Sequence, residues 1–394
     1  MRNGDILMLG AFAAAPWVAT LAPLGLAPLF ALAAVGSLIG NSCRGCRITW
    51  SPAILACLMI LPAWALLSAA WAPDPGRGIK GAIVLALELL GVAYLGWRAG
   101  VMADDLRLRI LRVLAISMIA SSILLWIEGM WNGVIWRATL EIWGADPWRS
   151  WIYNRVACVL ALFFPLVAQG LWIRQYRTLA MVCMLACMAA ILVLDSGAAL
   201  AAVLVGAAVW CIVYGIPRRV AGPLAALVIA MVFLLAPAWV GWLGHGVQML
   251  EGNDVPFSTM HRLRIWDFAV DRILEHPFWG WGMDASRVLP EGFRQAMPNA
   301  ELMPLHPHNF ILQIWLELGL VGVAVVVMGL GFVALQLARP ADARLRAGGM
   351  AGMATALMAA AIGYGIWQSW WVAALALSAV LGRVALTPPS EERG

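Results

Sequence analysis

Charged residues are scarce in this sequence, and lysine is almost absent. Only 12% of the 394 residues are Asp, Glu, Lys or Arg, and Lys80 is the single lysine. Soluble domains carry about 25% charged and about 45–50% apolar residues, whereas 63% of this chain is apolar. The composition therefore excludes a soluble globular domain and predicts a membrane protein.

Cysteine is also sparse, which limits the chemistry it can support. Five of the seven cysteines lie within apolar runs, where cysteine packs as a small hydrophobic residue. The other two, Cys43 and Cys46, form an isolated C-x-x-C pair in a basic loop with no nearby histidine. A structural zinc site needs a complete tetrahedral ligand set, so this pair does not favour a metal or redox centre. We expect no metal and no cofactor.

The positive charge of the chain comes almost entirely from arginine. A net charge of +5 could indicate nucleic-acid binding. The arginines lie instead in short loops between apolar runs, which is the distribution that the positive-inside rule describes for membrane proteins. We therefore expect membrane lipids, and no nucleic acid, among the partners of the chain.

Apolar runs close to membrane-spanning length follow one another along the chain. A helix needs about 20 apolar residues to cross a bilayer. The predicted helices are 6–21, 24–40, 53–71, 80–97, 108–127, 152–172, 178–194, 197–216, 220–243, 309–336, 347–366 and 369–386. The first two are short enough to form one re-entrant hairpin instead, and residues 1–21 are interpreted as a retained helix without a cleavage site. The predicted fold is all-α, a polytopic bundle of about twelve transmembrane helices.

Loop charge predicts how these helices are oriented. One set of loops carries most of the arginines, whereas the opposite short loops carry almost no positive charge. The arginine-rich set is therefore cytoplasmic, together with both termini. Residues 128–151 and 244–308 then lie outside. The chain divides into transmembrane residues 1–243, a periplasmic loop at 244–308, and residues 309–394 with the last three helices and a short cytoplasmic tail.

Residues 244–308 stand out because they contain all five histidines of the protein. A connection of this length is usually functional or disordered, and its many aromatic and aliphatic residues argue against disorder. Residues 259–276 have apolar side chains at helical spacing, which predicts an amphipathic helix that Thr259 caps and Pro277 ends. The predicted apolar stripe consists of Ile265, Trp266, Ala269, Val270, Ile273 and Leu274.

The strongest candidate for chemistry is His308-Asn309 followed by Gly319 and Gly322. Asn309 suits the N-cap of the tenth helix, and the two glycines let another chain approach that helix closely. The positive end of the helix dipole disfavours a charged imidazole at His308. A neutral histidine at the membrane surface can act as a general base, although an isolated histidine more often caps a helix or packs under a loop.

The sequence around these residues resembles the O-antigen ligase and polymerase superfamily. The similarity is carried by HPHNFILQIWLELGLVG at residues 306–322 and by RLRIWDFAVDRILEHPFWGWG at residues 262–282. The many helices, the cytoplasmic N-terminus and the main outer loop before the last three helices agree with it. The resemblance implies a GT-C-like transferase of the bacterial inner membrane whose active site faces the periplasm.

The resemblance also implies a reaction and its residues. Such enzymes transfer a glycan from undecaprenyl diphosphate to a sugar hydroxyl, with inversion and without a metal. The acceptor is the lipid A-core for ligases and another lipid-linked glycan for polymerases. By position in the motif, His308 corresponds to the catalytic histidine and Arg262 to the arginine that contacts the diphosphate. Arginine suits that task because its planar guanidinium binds phosphate oxygens in pairs.

One departure from the family concerns the second cation for the diphosphate. Many members carry an arginine after a serine at the start of a mid-chain helix, whereas this chain has LDSGA at residues 194–198. Arg155 is the candidate replacement, and Arg264 is a further diphosphate candidate that ranks below Arg262. An arginine this close to hydrocarbon is costly unless it is paired or functional, although snorkelling to lipid headgroups would also account for Arg155.

Several other groups are supporting candidates. Asp195 is a candidate partner of Arg155 or a substrate contact. Glu317 lies within the signature, where it either orients the catalytic groups or makes a structural hydrogen bond to a neighbouring helix. Arg77 and Lys80 are candidate secondary contacts for an anion.

Three alternatives to a ligase remain at this point. The ligase is favoured because one long outer loop dominates, but residues 128–151 form a second loop and keep a polymerase open. A secondary transporter would show internal repeats and broken helices near the midplane, and the sequence contains no visible repeat. A catalytically inactive assembly partner is disfavoured because His308 and Arg262 are both intact.

Overall fold

The computed structural model describes residues 3–42, 52–139, 153–248, 257–298 and 300–389. This part of the chain is almost entirely helical, which confirms the predicted all-α class. The pair Cys43 and Cys46 and half of the predicted outer loop at 128–151, namely residues 140–151, lie outside the described residues.

Fifteen α-helices follow one another in the described part. They are α1 (Asn3–Leu21), α2 (Leu26–Ser42), α3 (Pro52–Ser68), α4 (Pro75–Gly100), α5 (Asp104–Met130), α6 (Val134–Thr139), α7 (Asn154–Ile173), α8 (Arg177–Val193), α9 (Gly197–Gly215), α10 (Arg218–Leu234), α11 (Ala236–Gln248), α12 (Phe257–Glu275), α13 (Phe310–Leu337), α14 (Ala343–Ile362) and α15 (Ser369–Ala385). Two short 3-10 turns (Pro23–Gly25 and Ala285–Arg287) and an antiparallel hairpin of β1 (Gln295–Met297) with β2 (Ala300–Glu301) complete the fold.

The lengths of these helices define a multi-pass membrane protein. Among the described residues, eight helices are long and apolar enough to cross a membrane, or nine if α10 and α11 are counted as one bent span. Three further apolar helices are shorter, namely Leu55–Ser68, Arg177–Val193 and Ser369–Ala385. Each of the twelve predicted helices has an apolar counterpart in the structure, but a count of twelve spans is not confirmed.

The predicted helix 220–243 is bent into two helices, α10 and α11, which meet at an angle of 59°. Pro237 explains the bend because it has no N–H to donate to the carbonyl of Phe233. The indole of Trp315 on α13 supplies the missing donor, since its Nε1 lies 2.8 Å from that carbonyl oxygen. The carbonyl of Phe233 is therefore hydrogen-bonded despite the kink, and the same bond holds α10 against α13.

Helix ends gather at the two ends of the bundle. At one end, called here the basic end, Arg346 donates to the carbonyl of Ile216 at 3.1 Å and Arg174 donates to the carbonyl of Ala385 at 3.0 Å. These contacts join loops of the arginine-rich set. The opposite end, called here the histidine end, contains His308 and the loops around it.

Helix α13 is broken within its first three turns. At Gly319 the backbone has φ of 62° and ψ of −166°, which is not helical. A loop segment, residues 277–282, inserts at this break. Its N–H groups donate to the carbonyls of Leu316 and Glu317, both at 2.8 Å, and one of its carbonyls accepts from the N–H of Leu320 at 2.9 Å. The backbone groups freed by the break are thus paired by protein.

Glycine is required on both sides of this contact. A Cβ at Gly319 would lie 2.4 Å from the carbonyl oxygen of Phe278, and a Cβ at Gly280 would lie 2.4 Å from the carbonyl oxygen of Glu317. Both glycines also have a positive φ, which other residues rarely adopt. The sequence predicted that another chain could approach Gly319 closely. In the structure the segment that does so is the loop at residues 277–282 of the same protein. A Cβ at Gly322 would lie 2.3 Å from the Cβ of its own helical neighbour Leu318, so this glycine accommodates the distorted turn.

Helix α12 is the amphipathic helix that the sequence predicts, and it ends before Pro277 as expected. It is described from Phe257, two residues before the predicted cap at Thr259. Its buried side is formed by Met260, Ile265, Phe268, Ala269, Val270 and Ile273. The predicted stripe was wrong at Leu274, which is 65% exposed, because the helix rotates Phe268 rather than Leu274 toward α11 and α13.

Candidate active site at the histidine end

The His306–Asn309 segment is held on three sides. Asn309 caps α13 as predicted, and its Oδ1 accepts from the N–H groups of the next turn at 3.0 and 3.2 Å. The indole of Trp266 on α12 donates to the carbonyl of Pro307 at 2.8 Å. His308 itself has a positive φ of 53°. For a residue with a Cβ this conformation costs about 1–2 kcal/mol, a strain that is typical of functional sites.

The hydrogen bonds of His308 define its tautomer. Its Nδ1 lies 3.1 Å from the carbonyl oxygen of Gly363 in the loop between α14 and α15. A carbonyl only accepts, so Nδ1 carries the proton and the lone pair is on Nε2. Within the described residues, no hydrogen bond to Nε2 is recorded. The backbone carbonyl of Gly363 therefore fixes the orientation of the ring and leaves the basic nitrogen of His308 at Nε2.

His306 supports His308 and is held neutral. Its Nδ1 faces the N–H of His308 at 3.1 Å, and its Nε2 faces the N–H of Gly365 at 3.2 Å. A neutral imidazole has one acceptor nitrogen, so His306 can accept from one of these two N–H groups at a time, and protonation would remove that acceptor as well. The two imidazole rings lie 4.2 Å apart between centroids. His306 thus positions His308, and neither nitrogen of His306 is directed at a substrate.

The surroundings favour the neutral form of both histidines. Burial lowers the pKa of His308 to about 4, the charges of Arg262 and His261 add to this effect, and the bond to Gly363 opposes it. Burial also lowers the pKa of His306 to about 3, with smaller contributions from His308 and Arg287. At neutral pH His308 can therefore accept a proton at Nε2.

Arg262 is brought to this base by the helix that carries it. It precedes Trp266 by four residues, so the two side chains lie on the same face of α12, and Trp266 is bonded to the residue before His308. The charge of Arg262 is close enough to lower the pKa of both His306 and His308. Among the described residues, no ion pair or hydrogen bond to its half-buried guanidinium is recorded. A half-buried, unpartnered cation is well suited to bind an anion.

Arg155 lies near the loop that contains Tyr364, between α14 and α15. Its guanidinium lies over the ring of Trp370, 5.6 Å from the ring centre. Arg155 and Arg262 both act on the phenol of Tyr364, where burial raises the pKa and the two charges oppose that rise. The hydroxyl of Tyr364 also hydrogen-bonds Asn154, the first residue of α7. Arg155 is thus linked to the loop that bonds His308, because the ring of Trp370 lies 4.7 Å from that of Tyr364, the residue after Gly363.

Tyr364 and its neighbours were missed by the sequence analysis. The segment Gly363-Tyr364-Gly365 touches every part of the site: its first carbonyl binds His308, its last N–H faces His306, and its phenol lies beside the arginines. The available signal was a tyrosine between two glycines where a predicted apolar helix should continue. The predicted helix 347–366 in fact ends at Ile362.

Two of the predicted site residues lie elsewhere. Arg264 donates to the carbonyl of Ala296 at 3.0 Å and so ties α12 to the β-hairpin. Asp195 is exposed at the turn between α8 and α9 with a positive φ of 51°, and no ion pair with Arg155 is recorded among the described residues. The neighbouring Ser196 instead hydrogen-bonds Asn154.

Glu317 is a buried structural junction. Its carboxylate accepts from Gln313 Nε2 at 3.1 Å, from the N–H of Asp284 at 2.7 Å and from Trp367 Nε1 at 2.5 Å. Gln313 in turn accepts from the N–H of Ile366 at 3.0 Å. Glu317 therefore joins α13 to the loop that holds His308 through Gly363, and it makes no contact with His308 itself in the described structure.

A metal centre has no obvious ligand set in the described part of the chain. Within the described residues, no group of three or more His, Cys, Asp or Glu side chains is close enough to hold an ion. The positive charge of the site comes instead from arginine side chains, which suit the two phosphates of a diphosphate.

Comparison with known proteins supports the predicted resemblance. Residues 179–327 match the family model described as O-antigen ligase, a segment that contains Arg262, His308 and Glu317 but neither Arg155 nor Tyr364. A protein of Rickettsia conorii named "Putative polysaccharide ligase" is 33% identical over 135 residues, which is 33% of each chain. Similarly named proteins of Rickettsia prowazekii and Rickettsia bellii are each 32% identical, over 119 residues (29% of each chain) and 135 residues (33% of each chain). The matched segment thus spans about a third of the length of these relatives, and the resemblance to the O-antigen ligases is confirmed over that part.

Proposed function

We propose that this protein is a membrane glycan transferase of the O-antigen ligase type. It moves a polysaccharide from undecaprenyl diphosphate to a sugar hydroxyl at the periplasmic face of the inner membrane. The observation that carries this proposal is the neutral His308, whose Nδ1 is bonded to Gly363, near Arg262; neither Nε2 of His308 nor the guanidinium of Arg262 has a hydrogen-bond partner in the part of the chain that the structure describes.

His308 acts as the general base in the proposed reaction. Nε2 removes the proton of the acceptor hydroxyl as its oxygen attacks the anomeric carbon of the donor sugar. The bond between that carbon and the diphosphate oxygen breaks, and its electron pair leaves with the diphosphate. One displacement of this kind inverts the anomeric configuration. The imidazolium then loses its proton to water.

The arginines stabilise the charge that develops on the leaving group. Arg262 provides the first guanidinium and Arg155 the second, and the Tyr364 hydroxyl between them can donate a further hydrogen bond. Arg155 thereby takes the place of the arginine that the 194–198 stretch lacks. Because these groups supply both charge and donors, we propose that the reaction proceeds without a metal ion.

A ligase acting on the lipid A-core is the preferred form of this activity, and a polymerase that joins lipid-linked repeats is the alternative. The two share the donor chemistry and differ in the acceptor. A deletion strain distinguishes them by its lipopolysaccharide banding: loss of all polymer on the core indicates a ligase, whereas a single-repeat form indicates a polymerase.

A secondary transporter is less consistent with the site, although α13 is broken. Transporters use broken helices to expose free backbone groups to a substrate or ion. At Gly319 the freed groups are bonded to residues 277–282, so the break is closed by protein. The exposed polar groups lie instead at the histidine end, where transfer chemistry would occur.

The proposal is tested by transfer assays on purified full-length protein with a lipid-diphosphate-linked glycan. His308→Ala and Arg262→Ala should each abolish transfer while membrane insertion stays normal. The matched control is Arg294→Ala, which alters an exposed residue of the same outer segment that is paired with Glu291. Retained transfer in the His308 variant would remove the proposed base. Addition of EDTA should leave the wild-type rate unchanged, and a loss of rate would refute metal independence.

A further inference from the structure

A second cationic cavity lies beside the histidine site. It has a volume of about 310 Å³, and its lining includes Arg77 and Lys80 from the start of α4, Arg287 from the outer loop, and Trp367. Trp367 is bonded to Glu317 and follows Gly363 in the same loop, so one face of the cavity is the loop that orients His308.

The three cations of this cavity outnumber its acidic groups. Asp284 bridges two of them, at 3.6 Å from Arg77 and 3.0 Å from Arg287. Glu88, deeper in the cavity, hydrogen-bonds Ser369. Arg77 also lies 3.6 Å from Asp74, the N-cap of α4, which is outside the lining of the cavity. No partner of Lys80 is recorded within the described residues, so its ammonium group remains available.

An apolar groove continues from the inner side of this cavity. It has a volume of about 670 Å³ and runs between α2 and α4. The groove and the cavity share Val84, Glu88 and Ser369 in their linings. Most of the groove is formed by aliphatic and aromatic side chains such as Phe30, Leu38 and Leu87. A cationic chamber that opens into an apolar groove matches an amphiphile with an anionic headgroup and a hydrocarbon chain.

We infer that this cavity and groove bind the phosphorylated glycolipid that accepts the glycan. Its phosphate lies among Arg77, Lys80 and Arg287, and one hydrocarbon chain lies between α2 and α4. The inference rests on the proposed transferase function, because a transferase that joins two lipid-bound substrates needs a separate place for each lipid. The donor diphosphate is assigned to Arg262 and Arg155, so the second set of cations is available for the acceptor.

The position of the cavity suits an acceptor. The charge of Arg287 is close enough to lower the pKa of His306, which contacts His308. Arg287 also lines the same cavity as Trp367, which lies in the loop that bonds His308, so a glycolipid held there would have its glycan at the same end of the bundle as the proposed base. A bulk phospholipid would fill the groove but would bring no sugar hydroxyl to Nε2 of His308.

Because Lys80 is the only lysine, its amine can be used as a reporter. The full-length protein is placed in phosphatidylcholine nanodiscs, which contain no primary lipid amine, and treated with an amine-acetylating reagent. Acetylation of Lys80 is followed by mass spectrometry, with the N-terminal amine as internal reference. The probes are diphosphorylated lipid A, dephosphorylated lipid A and phosphatidylglycerol at equal mole fraction.

Diphosphorylated lipid A should slow acetylation of Lys80 severalfold, whereas the other two lipids should not. Equal labelling with all three probes would overturn the inference. Protection by phosphatidylglycerol to the same extent would also overturn it, by identifying a general lipid contact. If Lys80 is protected but the wild-type protein transfers no glycan to any acceptor, the transferase proposal fails while the binding site stands.

Transfer kinetics separate this site from the donor site. The double variant Arg77→Gln and Lys80→Gln should raise the KM for the acceptor about tenfold and leave the KM for the donor unchanged, since two partly exposed cations are lost. Arg294→Gln is the control for charge. For the groove, Leu87→Trp should raise the acceptor KM, whereas Ile83→Trp should not. Ile83 is also exposed on α4 (51%, against 63% for Leu87) but lies outside the groove lining. A change in donor KM alone would overturn the assignment.

Discussion

The pH dependence of transfer provides a direct test of the proposed base. Burial and the nearby positive charges lower the pKa of His308 to about 4, against about 6.5 for an ordinary histidine. Transfer needs neutral His308, so kcat/KM should stay high as the pH falls below 6.5 and should be lost as the pH approaches 4. At pH 5.5 the neutral fraction is about 97% for a pKa of 4 but about 9% for a pKa of 6.5, a difference of about tenfold.

The assay is an initial-rate measurement at subsaturating donor between pH 4 and pH 8, because kcat/KM reports groups of the free enzyme. Each sample is returned to neutral pH afterwards, and full recovery of the rate shows that acid has not unfolded the protein. Half-loss of kcat/KM near pH 6.5 would refute the argument, because it would mean that the base is an ordinary solvated histidine.

The charge of Arg262 can be tested in the same experiment. Arg262→Gln keeps an amide that can donate to the diphosphate, so it should retain a low rate where Arg262→Ala has none. Because it removes one cause of the low pKa of His308, the acid limb of that rate should move to higher pH. A bound diphosphate should act in the same direction in the wild-type protein, because it pairs with Arg262. The acid limb of kcat should therefore lie at higher pH than that of kcat/KM, and coincident limbs would argue against an arginine-bound diphosphate beside the base.

Three further predictions concern the framework of the site. Gly319→Ala should lower the yield of folded protein, because a positive φ costs about 1–2 kcal/mol and the new Cβ would lie 2.4 Å from a carbonyl oxygen; Gly329→Ala, where nothing lies within 4 Å, should leave the yield unchanged. Glu317→Gln should lower both the thermal unfolding midpoint and the transfer rate. An amide cannot accept from all three donors, and a buried unpaired donor costs about 1–3 kcal/mol. An unchanged midpoint would contradict the role of Glu317 in joining α13 to the neighbouring loops. Arg155→Ala should raise the donor KM about tenfold with no change in acceptor KM, which kinetic titration of each substrate checks.

Much of the framework could be predicted from sequence because its signals are local. Helix positions follow from apolar runs, and the bounds of α12 follow from helical spacing and Pro277. Asn309 as a cap follows from its position directly before the first residue of α13. Each of these features depends on side chains within one or two turns of each other, so a single sequence contains the whole signal.

The features that were missed depend on residues far apart in the chain. Tyr364 joins the site only because the loop between α14 and α15 folds back onto α7 and α12. Arg264 was predicted to contact the diphosphate. The carbonyl to which it donates, that of Ala296 in the β-hairpin, could not be anticipated because it lies 32 residues further along the chain. Leu274 has the correct helical spacing for the predicted apolar stripe. It is nevertheless exposed, because the side of α12 that is buried depends on where α11 and α13 pack against it.

The break in α13 links the glycines of the motif to the chemistry of its histidine. Because Gly319 interrupts the helix, the loop at residues 277–282 can pair with backbone groups around Glu317. That pairing sets the N–H of Asp284 on the Glu317 carboxylate, which also holds Trp367 and so fixes the loop that begins at Gly363. The Gly363 carbonyl then determines which nitrogen of His308 carries the proton. A glycine eleven residues away therefore helps to fix the orientation and tautomer of His308, which are the properties that the proposed base requires.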